Sequence, residues 1–94
     1  MGIKTEKILS GLQRKGFVLD SGSHHKYLYY FLENGKKTAV YTYLSHSLRE
    51  YEGNLISFMK KQLGLSSMKE LKDLIECPLS RKSYESILKA KCLI

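Results

Sequence analysis

The sequence predicts an α+β domain with the element order α-β-β-β-α, followed by two further helices. The run from Tyr27 to Phe31 is dense in aromatic residues, which favours a strand. Asn34-Gly35 comes next, and Asn-Gly between strand-like runs is the strongest short hairpin signal. Apolar residues at helical spacing occur on both sides of this hairpin. Helices outside a three-stranded antiparallel run indicate an α+β domain.

The first predicted helix covers Thr5 to Lys15 and is amphipathic. Its apolar residues recur at helical spacing and are Ile8, Leu9 and Leu12. Thr5 is the predicted N-cap residue, and Gly16 is predicted to end the helix. A short first strand, Phe17 to Asp20, follows directly.

The second and third strands form the centre of the predicted fold. Gly22-Ser23 is the turn into the second strand, which is predicted to run to about Leu32. Residues 33–36 form the hairpin turn. The return strand is the alternating run from Thr38 to Leu44. The centre of the chain is therefore predicted to be a β-hairpin with histidines at one end.

Two signals predict the helix after this hairpin. The polar segment 45–52 is predicted to be irregular, and an apolar stripe then runs from Leu55 to Leu63. Gly64 is predicted to end this helix.

The last 28 residues are predicted to form two short helices separated by Pro78. Ser67 and Glu70 have the spacing of a capping box, which predicts a helix to about Glu76. Ser80 is the predicted cap of the last helix. The residues expected to be buried are Met68, Leu71, Leu74, Ile75, Tyr84, Ile87 and Leu88.

The chain carries a large excess of positive charge. Sixteen Lys and Arg against nine Asp and Glu give a net charge of +7 over 94 residues. This length fits one domain, and the charge indicates a polyanionic partner, of which nucleic acid is the commonest. No run of apolar residues approaches the ~20 needed to span a membrane, so a soluble, cytoplasmic protein without a membrane partner is expected.

The two cysteines, Cys77 and Cys92, are too few for a disulfide scaffold. They are expected to be buried thiols in a reducing cytosol, with a bridge between them as the alternative. No Cys or His spacing matches a zinc site, so neither a metal nor another cofactor is predicted.

Four segments together resemble the HicA (YcfA-like) family of mRNA interferase toxins. They are Lys15-Gly16-Phe17 after the first helix, Gly22-Ser23-His24-His25, Ser45-His46 after the third strand, and Gly53-Asn54-Leu55 leading into residues 61–66. The chain departs from the family's Val-Pro-x-His pattern at the end of the third strand, where it has no proline. The resemblance covers residues 1–66, and residues 67–94 are an extension that we expect to pack on the same domain.

This resemblance implies a fold, an activity and a partner. The implied fold is similar to that of double-stranded-RNA-binding domains, with the order α-β-β-β-α. The implied activity is metal-independent cleavage of mRNA by a histidine of the Gly-Ser-His motif, in a type II toxin–antitoxin module. The implied partner is a HicB-like antitoxin that covers this site.

Strand parity gives His24 and His25 different faces of the sheet. His25 shares a face with Tyr27, which is predicted to be the core face. His24 shares a face with Lys26, a residue that is hard to bury unpaired, so this face is predicted to be open. His24 is therefore the favoured acid/base residue, with Lys26 beside the phosphate, and His25 is the alternative. Both histidines being structural strand residues is the competing interpretation.

Further residues are candidates for RNA contacts. The predicted RNA-binding residues are Ser23, Lys26, Lys36, Lys37, Lys60 and Lys61, and Arg14-Lys15 is a further basic pair. Tyr30, Tyr41 and Tyr43 are candidates for stacking on bases, and His46 for a second acid/base group. Two other functions remain open: a non-catalytic RNA-binding module of the same fold, and an interaction protein whose charge serves an acidic partner.

Overall fold

The computed structural model of the chain describes residues 2–22, 25–45, 48–76 and 78–94. Within these residues the chain forms four helices, a three-stranded antiparallel sheet and a two-stranded sheet. The elements are β1 (Ile3–Lys4), α1 (Thr5–Arg14), β2 (Phe17–Ser21), β3 (His25–Phe31), β4 (Lys37–Ser45), β5 (Glu50–Tyr51), α2 (Asn54–Gln62), α3 (Met68–Glu76) and α4 (Arg81–Ala90). The predicted α+β class is confirmed, as are the three-stranded sheet and the four helices.

The three longer strands pair in chain order, β2-β3-β4, with antiparallel neighbours throughout. The hairpin between β3 and β4 has Asn34 and Gly35 at its tip, as predicted. The Gly35 N–H donates to the Leu32 carbonyl (2.8 Å), and the Lys36 N–H donates to Asn34 Oδ1 (2.9 Å). Gly35 has φ +89°, a left-handed conformation that glycine adopts without steric cost. The Asn-Gly pair therefore sets the hairpin through local geometry.

The two-stranded sheet was not predicted, because strands of two residues leave no periodicity to detect. Ile3 pairs with Tyr51, and Lys4 pairs with Glu50. The Tyr51 hydroxyl also accepts a hydrogen bond from the Ser45 N–H (2.7 Å). The segment predicted to be irregular therefore ties the start of the chain to the end of β4.

One hydrophobic core lies between the helices and one face of the three-stranded sheet. The sheet contributes five core residues: Phe17, Leu28, Tyr30, Val40 and Leu44. Each of the four helices also contributes, and the helical core residues include Ile8, Leu12, Ile56, Met59, Leu71, Leu74, Ile75, Tyr84 and Leu88. Tyr30 lies against Tyr84 of α4 with ring centroids 5.4 Å apart, edge to face. The sheet is thus covered by helices on the face that carries its aliphatic residues.

The predicted assignment of the two faces of β3 is wrong. Leu28 and Tyr30, which share strand parity with Lys26 and so belong to the face expected to be open, are both 0% exposed. The residues expected in the core are only half-buried and lie outside it; they are His25, Tyr27, Tyr29 and Phe31.

The reason for this reversal lies in the neighbouring strand. Leu28 pairs directly with Thr42 of β4, so it shares a face with Thr42 and with Val40 and Leu44 on either side. These aliphatic side chains fit the close packing against α1 and α2. Aromatic density alone therefore indicated the wrong face.

Helix ends follow the local signals in most cases. Gly16 and Gly64, with φ +100° and +76°, follow α1 and α2 as predicted. Ser80 Oγ accepts from the Ser83 N–H (3.1 Å), which confirms it as the cap of α4. Thr5 is not a cap, because helix α1 begins at this residue and its hydroxyl donates to the Leu48 carbonyl (2.8 Å).

The predicted capping box at α3 is only partly formed. Ser67 Oγ accepts from the Glu70 N–H (3.2 Å), as a capping box requires. Glu70 Oε1, however, accepts from the N–H of Ser66, one residue earlier than expected (2.7 Å).

The extension beyond residue 66 contributes to the same core as the sheet. Leu71, Ile75, Tyr84 and Leu88 are buried, and Tyr84 donates its hydroxyl hydrogen to the Leu63 carbonyl (2.7 Å). The expectation was wrong for Met68, which is 43% exposed, and Ile87 is only half-buried. Met68 lies in the first turn of α3, where the side chain faces a groove described below.

Cys92 is exposed, so the expectation of a buried thiol is wrong there, and Cys77 lies outside the described residues. Within the described ranges, no helix has both the length and the apolar character required to cross a membrane.

Candidate nucleic-acid interface

The face of the sheet that points away from the helices carries a continuous row of rings. We call it the ring face and define it by His25, Tyr27, Tyr29, Tyr41 and Tyr43. These residues share a face because Tyr27 pairs directly with Tyr43 and Tyr29 pairs with Tyr41. At ~3.3 Å per residue, the row along β3 from His25 to Tyr29 is about 13 Å long.

The rings contact one another across and along the strands. Tyr29 and Tyr41 are stacked with centroids 5.5 Å apart, and Tyr27 and Tyr29 are stacked at 6.2 Å. Tyr27 and Tyr43 are tilted at 6.1 Å. These distances fall within the range of favourable aromatic pairs, so the rings hold one another in position, and all of them remain at least partly exposed. Tyr41 is 40% exposed, whereas Tyr27, Tyr29 and Tyr43 are half-buried.

His25 forms one end of the ring face, at the start of β3. Its ring lies edge-on to Tyr43 with centroids 4.9 Å apart, and it lies 6.1 Å from Tyr27. His25 pairs with Ser45 at the end of β4, so the histidine lies at the mouth of the hairpin. The backbone of His25 is paired within the sheet, and its side chain is only half-buried.

Two lysines lie at the opposite end of the ring face, beside the hairpin turn. Lys37 Nζ lies 3.9 Å from the centroid of the Tyr29 ring, a cation–π contact. Lys36 is exposed in the turn itself. Val18 and Asp20 of β2 pair with Tyr29 and Tyr27 and complete the border of the face. The ring face therefore has cations at the hairpin tip, an imidazole at the mouth and one carboxylate at the side.

Three of the other predicted site residues, Lys26, Lys60 and Lys61, do not join this face. Lys26 has the opposite strand parity to His25 and lines a cleft with Arg49, Glu6 and Glu50. Lys60 and Lys61 belong to α2, on the helical side of the sheet. Ser23, His24 and His46 lie outside the described residues.

Two predicted contacts with RNA are wrong, because the residues are buried. Lys15 is 6% exposed, and its Nζ donates to the carbonyls of Leu74 and Leu79 (both 2.7 Å). Tyr30 is fully buried, and its hydroxyl donates to Glu85 Oε1 (2.8 Å). Arg14, beside Lys15, is exposed.

Sequence reasoning missed Tyr27 and Tyr29 as surface residues, although a signal was present. Leu28 on β3 and the aliphatic residues Val40 and Leu44 on β4 mark the core face of both strands, and the tyrosines alternate with them. The alternate positions of aliphatic residues on the two paired strands, rather than the density of aromatic residues, would have identified the ring face.

In the part of the chain that the structure describes, no group of three or more His, Cys, Asp or Glu side chains is arranged to hold a metal ion. Comparisons with protein-family models, with curated proteins and with solved structures found no match to this chain.

Proposed function

We propose that this protein binds a single RNA strand on the ring face and cleaves it with a histidine at the mouth of β3, without a metal. One observation carries the proposal: the row of stacking rings ends in an imidazole, His25, with centroids 4.9 Å apart at that end. The acid/base group therefore lies at one end of the RNA-binding surface. The net charge of +7 supports a polyanionic substrate.

Base stacking supplies the affinity in this proposal. Stacking of a base on an aromatic side chain contributes ~1–3 kcal/mol and depends little on sequence, because every base has a π-face. Tyr27, Tyr29 and Tyr41 offer such rings, and Lys36 and Lys37 offer charge for the phosphates at the hairpin end. Unpaired bases are required, since bases inside a duplex are already stacked.

The catalytic step relies on a histidine because its unperturbed pKa suits proton transfer near neutrality. A neutral imidazole accepts the proton of the 2′-OH, and the 2′-oxygen attacks the adjacent phosphorus to form a 2′,3′-cyclic phosphate. The bond from phosphorus to the 5′-oxygen breaks, and the imidazolium or a water molecule protonates the leaving 5′-oxygen. His25 gains support because it lies on the open face of the sheet. His24 was favoured on the expectation that the face of β3 with Lys26, Leu28 and Tyr30 is open, but Leu28 and Tyr30 are buried in the core. His24 remains the residue that the family resemblance implies, so both belong to the proposal.

The resemblance extends the proposal to a biological role. Apart from the two-residue strands β1 and β5, the order of α1, β2, β3, β4 and α2, with helices on one face of the sheet, supports the double-stranded-RNA-binding-like fold that the HicA resemblance implies. In that role the protein is the toxin of a type II toxin–antitoxin module and cleaves mRNA. A HicB-like antitoxin would then inhibit it by covering the ring face.

The test is RNA cleavage in excess EDTA by the wild type, His24→Ala and His25→Ala. We expect wild-type cleavage, and a loss of ~10²–10⁴-fold for the variant that lacks the acid/base residue. Lys82→Ala is the matched control, because Lys82 is an exposed basic residue on α4, which packs on the opposite face of the sheet from the ring face. Full activity in both histidine variants would contradict the mechanism.

A non-catalytic RNA-binding module is the second candidate, and the surroundings of His25 favour it. Among the described residues, the ring contacts of His25 are with Tyr27 and Tyr43, and neither a carboxylate nor a second imidazole is one of them. RNA binding by the wild type without any cleavage would establish this candidate in place of the ribonuclease.

A further inference from the structure

A groove on the helical side of the molecule combines an apolar floor with a rim of lysines. It has a volume of about 940 Å³ and lies between the start of the chain, α2 and α3. We call it the lysine groove. None of its lining residues belongs to the ring face, so it is a separate surface.

The floor and walls of the lysine groove are aliphatic. Ile56 of α2 and Ile75 of α3 are each 1% exposed and form the floor. Ile3 lines one wall, and Met68, 43% exposed, lines another. An exposed methionine beside buried isoleucines is typical of surfaces that accept apolar side chains from a partner.

The rim carries five lysines and one carboxylate. The lysines are Lys4, Lys7, Lys60, Lys69 and Lys72, and the carboxylate is Glu76. Lys7 Nζ pairs with Glu76 Oε1 (2.8 Å), and Lys69 pairs with Asp73 (2.9 Å). The hydrogen bond from Lys7, together with the charges of Lys7 and Lys72, lowers the pKa of Glu76. Among the described residues, Glu76 is the one carboxylate in the lining and is already paired, so the groove has a positive excess.

The helices present this surface with a regular spacing. The lining residues at the start of α2 and within it are 53, 56, 57 and 60, and those of α3 are 68, 69, 72, 75 and 76, so both sets follow the three- and four-residue spacing of one helix face. The stretch from 53 to 60 is about 10 Å long, or two helical turns. A groove of this size between two helices matches the helix-in-groove mode of recognition.

We infer that the lysine groove binds an acidic amphipathic helix of a partner protein. Two or three apolar side chains at i, i+3 or i+4 and i+7 of that helix enter the floor. Its Asp or Glu residues, on the flanks of the apolar stripe, lie against Lys4, Lys60 and Lys72. The aliphatic floor favours a peptide over RNA, since phosphates and riboses gain little from contact with Ile56 and Ile75.

The test uses a fluorescein-labelled 16-residue helical peptide with leucines at i, i+4 and i+7 and glutamates beside them. We expect saturable binding by fluorescence anisotropy that weakens as salt is added. A peptide of the same composition, with its leucines spread around the helix, is the matched control and should bind about tenfold more weakly. Equal binding of both peptides, or no saturable binding of the first, overturns the inference.

Charge reversal locates the binding site. Lys60→Glu combined with Lys72→Glu should raise the Kd of the peptide about tenfold or more, because each reversal replaces attraction by repulsion. Arg14→Glu with Lys82→Glu is the control of equal net charge, since both residues are exposed and lie outside the groove, and it should change Kd less than about twofold. Equal effects of the two double variants would overturn the inference.

Competition separates the peptide from other ligands. An unlabelled copy of the peptide should displace the labelled one, whereas an equimolar single-stranded RNA or fatty-acid anion should not. Displacement by the RNA would assign the groove to nucleic acid, and displacement by the fatty acid would assign it to a lipid. Either result overturns the inference.

Discussion

At the residue scale, the ammonium group of Lys15 joins α1 to the end of α3 and to the loop before α4. Its Nζ donates to the carbonyls of Leu74, in the last turn of α3, and Leu79 (both 2.7 Å). Carbonyls at a helix C-terminus lack partners within the helix and carry partial negative charge. A buried cation is therefore compensated by acceptors that would otherwise be unsatisfied.

Lys15→Ala should lower the free energy of unfolding by about 2–3 kcal/mol, because it leaves buried carbonyls without a donor. Urea unfolding followed by circular dichroism measures the change. Arg14→Ala, at the exposed neighbouring position, is the control and should change stability by less than about 0.5 kcal/mol. A loss for Lys15→Ala as small as that of the control would show that the buried contacts contribute nothing.

Ionisation of Tyr30 makes the free energy of unfolding depend on pH in the alkaline range. Burial, followed by the hydrogen bond to Glu85, raises the pKa of Tyr30 to about 12. In the unfolded chain the pKa is ~10, so between pH 10 and 12 the unfolded state binds fewer protons than the folded state. The free energy of unfolding must then fall as pH rises through this window, whereas Tyr30 has no such effect below pH 10.

Tyr30→Phe should remove the part of the decrease in unfolding free energy above pH 10 that is due to Tyr30. Unfolding free energies of the wild type and the variant are compared at pH 9, 10 and 11. We expect the variant to be less stable than the wild type at pH 9, because Glu85 Oε1 no longer receives the hydrogen bond from the Tyr30 hydroxyl. Between pH 10 and 11, however, the unfolding free energy of the variant should decrease less than that of the wild type. Parallel curves over that interval would mean that Tyr30 titrates at its ordinary pKa.

At the element scale, the contact between α1 and α3 depends on the absence of a side chain at Gly11. A Cβ at this position would overlap the carbonyl oxygen of Ile75. The backbone of α3 therefore comes directly against α1, and Ile8 and Leu12 bury their side chains on either side. Residues on the extension and on the first helix thus form one interface.

Gly11→Ala should destabilise the protein by about 1–2 kcal/mol, although alanine is the better helix former by ~1 kcal/mol. The overlap with the Ile75 backbone outweighs the gain in helix propensity, because α1 and α3 must move apart. Ser10→Ala, on the exposed side of α1, makes a similarly small change of volume and should be nearly neutral. Thermal unfolding of both variants measures the difference, and a higher Tm for Gly11→Ala would contradict it.

The elements could be predicted from the sequence where their signals are local. Gly16, Gly64 and Ser80 mark helix ends through backbone conformation or a cap formed within a few residues. The burial of Lys15 could not be predicted, because the acceptors at Leu74 and Leu79 are distant in sequence. The faces of β3 depend likewise on β4, which supplies the aliphatic partners.

At the scale of the whole molecule, the sheet separates two surfaces of different chemistry. The ring face has stacking aromatic side chains with few charges, whereas the lysine groove concentrates positive charge around an aliphatic floor. The net charge of +7 predicted an acidic partner but could not say which surface meets it. Only the fold brings Lys4, Lys60 and Lys72 together, from three separate elements.

The ring face as the site of RNA binding is the central claim, and the affinity of a Tyr29→Ala variant tests it most directly. A fluorescein-labelled single-stranded RNA of ten nucleotides is titrated with the wild type, Tyr29→Ala and Phe58→Ala, in excess EDTA. Phe58, 52% exposed on α2, is the control for loss of an exposed aromatic ring outside the ring face. Loss of one stacked base, ~1–3 kcal/mol, predicts a Kd about 5- to 150-fold higher for Tyr29→Ala and nearly unchanged for Phe58→Ala. Equal affinities of all three proteins would contradict the account.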